Sequence, residues 1–178
     1  MTATETVDLF SLDTLRHRVV EWQAPGPVAK AASGMSGLET MCAIRDGILP
    51  PPPMARLIGF KMCVAELGRI VMELDPDESL ENTIGLLHGA IAAALLDTAM
   101  GCAIATMQPA GQTSVTLDLK LTYLRPLSVQ SGTISAEGRV VKRGRQTSYV
   151  EGFVRDGAGN LAVHATATFT MIGVKKAK

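Results

Sequence analysis

Apolar and polar residues alternate along Thr113–Tyr123, with Val115, Leu117, Leu119, Leu121 and Tyr123 set against Ser114, Thr116, Asp118, Lys120 and Thr122. A period of two sends successive side chains to opposite faces, so the segment predicts an unbroken strand with one buried and one polar face. Three further strands follow from the same reading. Thr133–Lys142 sets Ile134, Ala136 and Val140 on one side, Gln146–Arg155 is partly apolar on both faces and so reads as central, and Leu161–Met171 lines up Leu161, Val163, Ala165, Ala167, Phe169 and Met171. Asp156-Gly157 and Gly159-Asn160 mark the turn before the last strand. Upstream, Phe60–Glu66 and Arg69–Leu74 flank Leu67-Gly68 as a hairpin, and Asp75–Asn82 is a polar loop.

From Gly89 to about Met107 the chain is apolar nearly all round, which predicts a long helix that must be covered on most of its sides. Two strands, a helix and four strands then give an α+β fold in which a six-stranded, mainly antiparallel sheet wraps one central helix. Residues 1–55 read as an N-terminal helical extension with a Pro-rich spacer, and 56–178 as the main domain. In the extension Ser11 is expected to cap a helix running to about Trp22, with Leu15, Val19 and Trp22 on one face and Phe10 stapled against Leu15. Ser36 and Glu39 form a capping box for a second helix stopped by Gly47, and Pro50–Pro53 form an extended spacer that no helix crosses.

Composition narrows the function. The 178 residues hold 17 Lys+Arg and 17 Asp+Glu, so no nucleic-acid partner is expected and any polyanion must be small and met locally. Cys42, Cys63 and Cys102 are dispersed without metal or redox spacing and read as reduced thiols of a cytoplasmic protein. Met1–Phe10 contains no Lys or Arg and leads into no apolar run, so no signal peptide is expected. The apolar stretch 85–107 is no membrane span, because Asp97 near its centre would cost about 2.5–3.5 kcal/mol on insertion. His17, His88 and His164 have no partners at ligand spacing, and neither a P-loop nor a G-x-G-x-x-G occurs, so neither metal nor cofactor is expected.

The chemistry gathers around the long helix. His88 and Gly89 stand where it begins, with free backbone amides and the positive end of the helix dipole, a place suited to a developing oxyanion. Asp97 is the one carboxylate on an otherwise apolar helix, between Ala93, Ala94 and Gly101; a buried, hydrogen-bonded carboxylate without a catalytic part is the alternative. Nine residues from His88 to Asp97 turn about 900° and rise about 13.5 Å, half a turn out of phase. The two places therefore cannot readily serve one carbon within one chain, whereas a two-fold axis can join Asp97 of one copy to Gly89 of another. Lys142-Arg143-Gly144-Arg145 is the densest positive run; it reads as a solvated turn or as a clamp for a nucleotide phosphate, with Arg125 a weaker candidate for the same work.

The run N-x-x-G-x-x-H-G from Asn82 to Gly89, followed by Asp97 and by Tyr123-Leu124-Arg125-Pro126 at a strand end, resembles the hotdog-fold acyl-CoA thioesterases of the phenylacetic-acid-degradation (PaaI-like) type over residues 56–172. The resemblance implies a hotdog fold, a homodimer or homotetramer, and hydrolysis of an acyl-CoA to the acid and coenzyme A. It implies Asp97 as nucleophile or general base, the Gly89 amide as the donor polarising the thioester carbonyl, and Asn82 and His88 as positioning groups. Thr116 would orient the lytic water, or Ser114, two residues away on the same face, would do so instead. Ala90 stands where the family commonly has a second glycine, placing a methyl where substrate would pass. The alternatives are a hydratase or dehydratase on the same fold, which wants a His paired with a carboxylate, and a non-catalytic acyl-CoA-binding module.

Overall fold

The computed structural model describes residues 15–173. Its elements run α1 (Pro25–Ala31), α2 (Gly37–Arg45), α3 (Pro53–Ile58), β1 (Lys61–Glu66), β2 (Arg69–Leu74), α4 (Gly89–Ala105), β3 (Gln112–Tyr123), β4 (Ile134–Arg143), β5 (Thr147–Arg155) and β6 (Leu161–Gly173). The six strands form one antiparallel sheet in the order β1-β2-β4-β5-β6-β3, so β5 lies inside it and β3 at its edge. The sheet wraps α4, the hotdog arrangement that the resemblance implies.

What seats the helix is a trough of small residues. Gly138 and Gly152 pair directly across β4 and β5, and Gly152 pairs with Ala165 of β6. A Cβ at Gly138 would stand 2.5 Å from the Ala99 carbonyl, and one at Gly152 would stand 2.7 Å from Leu96 Cδ2. With that approach Leu95, Leu96, Ala99, Met100, Ala103 and Ile104 are fully covered against Ile70, Ile134, Val150, Val154 and Phe169. Full burial of each large aliphatic side chain contributes about 1.5–3 kcal/mol before entropy.

The N-terminal region differs from its expected form in two places. Residues 15–24 carry no regular structure, and Leu15, Val19 and Trp22 are 64%, 83% and 57% exposed. The stripe has no surface to bury against; Arg16 and Arg18 instead tie the segment to Glu78 and Asp77, at 3.0 and 3.2 Å. Ala24, preceding Pro25, is held extended, and the helix opens at Pro25, which suits a first helical position. The expected Ser11 cap and Phe10 staple lie outside the described residues. Nor is Pro53 spacer: it opens α3, while Pro52 before it remains extended.

The second helix forms as read. Ser36 Oγ accepts from the Glu39 amide at 3.3 Å and Glu39 Oε2 accepts from the Ser36 amide at 2.7 Å. α2 packs on β1 and on the end of α4, where Gly37 leaves no room for a side chain beside the Ala105 carbonyl.

The largest departure is in β3. A bulge lies between Thr116 and Asp118, so Leu117 drops out of the pairing and the alternation changes face. Beyond it Leu119, Leu121 and Tyr123 pair with Ala167, Ala165 and Val163 on the helix side; before it Thr116 pairs with Phe169 and takes that side instead. Val115 and Leu117 are left 44% and 59% exposed, so the face expected to be buried is buried only in part.

Candidate active site

The loop before α4 is built by its own residues. Asn82 Oδ1 accepts from the amides of Ile84 and Leu86 at 3.0 and 3.2 Å, and the Asn82 amide donates to the Leu86 carbonyl at 2.7 Å. This Asx turn delivers the chain to His88, the N-cap of α4, whose Nδ1 accepts from the Ala90 amide at 3.0 Å. The Ile91 amide turns back to the His88 carbonyl at 2.9 Å. The Gly89 amide has no acceptor among the described residues, and it stands at the positive end of a 17-residue helix.

Asn82, His88 and Gly89 line a cleft of about 320 Å³, closed on its other side by Tyr123, Leu124, Arg125 and Pro126. Tyr123 is a site residue that the sequence reading left without a role. Its hydroxyl donates to the Gly89 carbonyl at 2.8 Å, and a Cβ at Gly89 would lie 3.3 Å from its ring. The only signal for it was an aromatic closing an alternating strand just before Leu-Arg-Pro. Arg125 is the cation in this cleft, its backbone held at the Ala162 carbonyl.

Asp97 is elsewhere. It is half-buried eight residues along α4 from Gly89, about 12 Å up the axis and about 80° round it. There Thr116 Oγ1 donates to Asp97 Oδ1 at 2.8 Å. Ser114 pairs with Met171 on the same face of β3, half-buried and one step further along the strand. Without the bulge, Thr116 would share the face of Asp118, Lys120 and Thr122 and point away from the helix. Cys102, five residues beyond Asp97, is not a competing nucleophile: burial, and then the charge of Asp97, push its thiol up to about 12.

Lys142, Arg143 and Arg145 lie exposed at the β4–β5 turn, with no ion-pair partner among the described residues. Gly144 is required by a close approach: a Cβ there would meet the Thr147 carbonyl oxygen at 2.2 Å. Arg143 pairs with Ser148, Ser148 with Phe169 and Phe169 with Thr116, so arginine and threonine share one rung of the sheet, three strand spacings or about 14 Å apart. Lys142 pairs with Tyr149 and takes the opposite face from Arg143. The cluster thus belongs to the Asp97 end of its own chain, and Arg125 to the Gly89 end.

His164 packs at a tilt against Phe153, with ring centroids 5.2 Å apart, and its Nε2 lies 4.0 Å from Glu151 Oε1. The three cysteines are free, and no cluster of metal-binding side chains occurs among the described residues. No helix there is long and apolar enough to cross a membrane.

The profile of the thioesterase superfamily matches residues 84–163, which include His88, Asp97 and Thr116. The proofreading thioesterase EntH of Klebsiella pneumoniae is 36% identical over 94 residues, 53% of this chain and 67% of that protein. Among solved structures, a phenylacetic acid degradation-related protein of Ralstonia eutropha superposes with a TM-score of 0.67 at 25% identity, covering 73% of this chain and 98% of that one. A Streptococcus mutans protein bound to acetyl CoA superposes with a TM-score of 0.58 at 28% identity, covering 66% of this chain and 91% of that one.

Proposed function

The chain belongs to the thioesterase superfamily and is a hydrolase of thioesters, and on that premise we propose that it cleaves an acyl-CoA to the free acid and coenzyme A at sites shared between two copies of the chain. The observation that carries this reading is the Thr116–Asp97 hydrogen bond at 2.8 Å, standing about 12 Å along α4 from an unengaged Gly89 amide. One end holds a carboxylate with one oxygen fixed and the other free. The other end offers a donor where negative charge would develop. A two-fold axis relating two chains brings Asp97 of one to the Gly89 cleft of the other.

In each shared site the thioester carbonyl oxygen accepts from the Gly89 amide. By one route Asp97 attacks the carbonyl carbon and expels the coenzyme A sulfur as thiolate, leaving a mixed anhydride that a water oriented by Thr116 then hydrolyses to the acid and the free carboxylate. By the other Asp97 takes a proton from that water as its oxygen attacks the carbonyl carbon, and the tetrahedral intermediate collapses to the acid with loss of the thiolate, which takes up the proton. Asn82 and His88 act through the backbone they hold. Edge strand β3, with its outer backbone groups unpaired by any described strand and Val115 and Leu117 exposed, supports pairing with a second copy as a homodimer or as a step toward a homotetramer. The basic turn would meet the phosphates of the nucleotide through Arg143 and Arg145, with Lys142 on the other face of β4 adding charge at longer range and Arg125 lining the Gly89 cleft. Coenzyme A as the thiol accords with the acetyl CoA held by the Streptococcus mutans structure.

The hydratase alternative is disfavoured by His88. Its Nδ1 is occupied by the Ala90 amide, and no carboxylate pairs with it among the described residues. A panel of acyl-CoA esters with thiol release as the readout tests the proposal; release from none of them by folded, dimeric protein overturns it.

A further inference from the structure

A second cavity, of about 330 Å³, lies between the N-terminal segment and the central helix, well away from the Gly89 cleft. Val28 and Ala32, in and just after α1, roof it, Met41 of α2 and Met72 of β2 wall it, and Thr98 and Cys102 of α4 form its inner side. No Lys, Arg, His, Asp or Glu lines it, so the space suits an uncharged, apolar group. The roof is unusual. α1 has seven residues and buries none of them, so it stands over a space that the protein's described side chains leave unfilled.

The inner wall links this space to the chemistry. Thr98 follows Asp97 in sequence and stands about 100° round the helix, with Cys102 one turn further along the same face. Asp97, Thr98 and Cys102 fall within six residues of α4, so cavity and carboxylate share one short stretch of helix. The volume falls at the lower end of the range for small-molecule pockets, about 300–1,000 Å³.

We propose that this cavity is the acyl subsite, taking the uncharged apolar acyl group of the thioester, and that residues 23–53 make it selective for a medium-length chain over acetyl. The inference rests on the thioesterase reading and adds to it the class of acid released. It also gives the N-terminal extension a role: it covers the space that receives the acyl group.

The full-length protein is assayed on acetyl-, hexanoyl- and decanoyl-CoA, and binding of decanoic acid is measured by calorimetry. Ala32→Trp fills the cavity from its roof, and Val28→Asp places a charge in it. Each should lower the decanoyl-to-acetyl ratio of kcat/KM by about tenfold or more, since a few methylenes denied an apolar pocket carry that much discrimination. Each should also weaken decanoic acid binding. Unchanged ratios and unchanged binding in both folded variants overturn the inference. Absence of hydrolysis on every ester would instead strike the thioesterase reading, and the calorimetry would still decide whether the cavity takes an acyl chain.

Discussion

The two ends of α4 reach their working geometry by different routes. At the Gly89 end the parts are neighbours in sequence: Asn82 folds its own loop, His88 caps the helix it begins, and the free amide follows one residue later. At the Asp97 end the carboxylate is met by Thr116, nineteen residues away, and only because a bulge in β3 turns that threonine toward the helix. The first end is written into a short motif. The second depends on the register of a whole strand.

The contrast is sharpest if one group at each end is removed. Asp97→Asn keeps size and shape but is neither nucleophile nor strong base, so thioester hydrolysis should fall by about a hundredfold to ten-thousandfold with the fold retained. Thiol release from the best acyl-CoA measures this, and wild-type turnover would sink the catalytic role of Asp97.

At the other end Gly89→Pro removes the amide donor at a helix position where proline is tolerated. Its Cβ would also press on the Tyr123 ring, 3.3 Å away, so Gly89→Ala, which adds that atom and keeps the N–H, is the control. Mixing the Asp97→Asn and Gly89→Pro proteins under conditions of subunit exchange makes half of the dimers mixed, each with one intact site of two. Activity should recover to about a quarter of wild type if the sites are independent. With folding and exchange verified by circular dichroism and sizing, no recovery would place both groups in a single-chain pocket.

What the sequence disclosed follows the same division. The capping box of α2, the hairpin β1–β2, the start of α4 and the central place of β5 depend on contacts close in the chain or on plain periodicity, and they are where they were expected. The helix expected to end near Trp22 failed because periodicity alone does not supply a surface to bury against. β3 misled for a subtler reason. A bulge leaves no mark on an alternating sequence, so the odd-numbered apolar residues looked like one face when Leu119, Leu121 and Tyr123 face the helix and Val115 lies beyond the change of face. The role implied for Thr116 came from resemblance; the side of the strand it occupies is a tertiary fact. Tyr123 went unassigned because its partner is a backbone carbonyl, which no side-chain pattern announces.

Thr116→Val tests the register-dependent end directly. It keeps the shape, removes the donor to Asp97 and should lower kcat by about tenfold to a hundredfold, the order expected for one hydrogen bond to a charged group. Thr116→Ser, which keeps the hydroxyl, should restore most of that loss. If Ser114 is the working hydroxyl instead, Thr116→Val will be near wild type and Ser114→Ala will carry the defect.

The basic turn should affect binding rather than chemistry. Replacing Arg143 and Arg145 together should raise KM for coenzyme A esters by about tenfold with kcat nearly intact, because remote phosphate contacts are equal in ground and transition states. A short pantetheine thioester lacking the nucleotide should show little change. Equal losses on the two substrates would make the turn structural.

The smallest effect is expected at Tyr123, and it separates the two ends most finely. Its hydroxyl donates to the Gly89 carbonyl, whose second lone pair remains for the next turn of α4, so Tyr123→Phe costs one neutral hydrogen bond, about 0.5–1.5 kcal/mol. The Asx turn and the His88 cap still hold the Gly89 amide in place without it. Activity should therefore fall by only about threefold to tenfold, with a small drop in thermal stability. The Thr116→Val loss, by contrast, should appear in kcat without such a drop. A Tyr123→Phe defect as deep as that of Asp97→Asn would mean that the helix start is not self-sufficient. The tyrosine would then have to be counted among the groups that set the oxyanion donor.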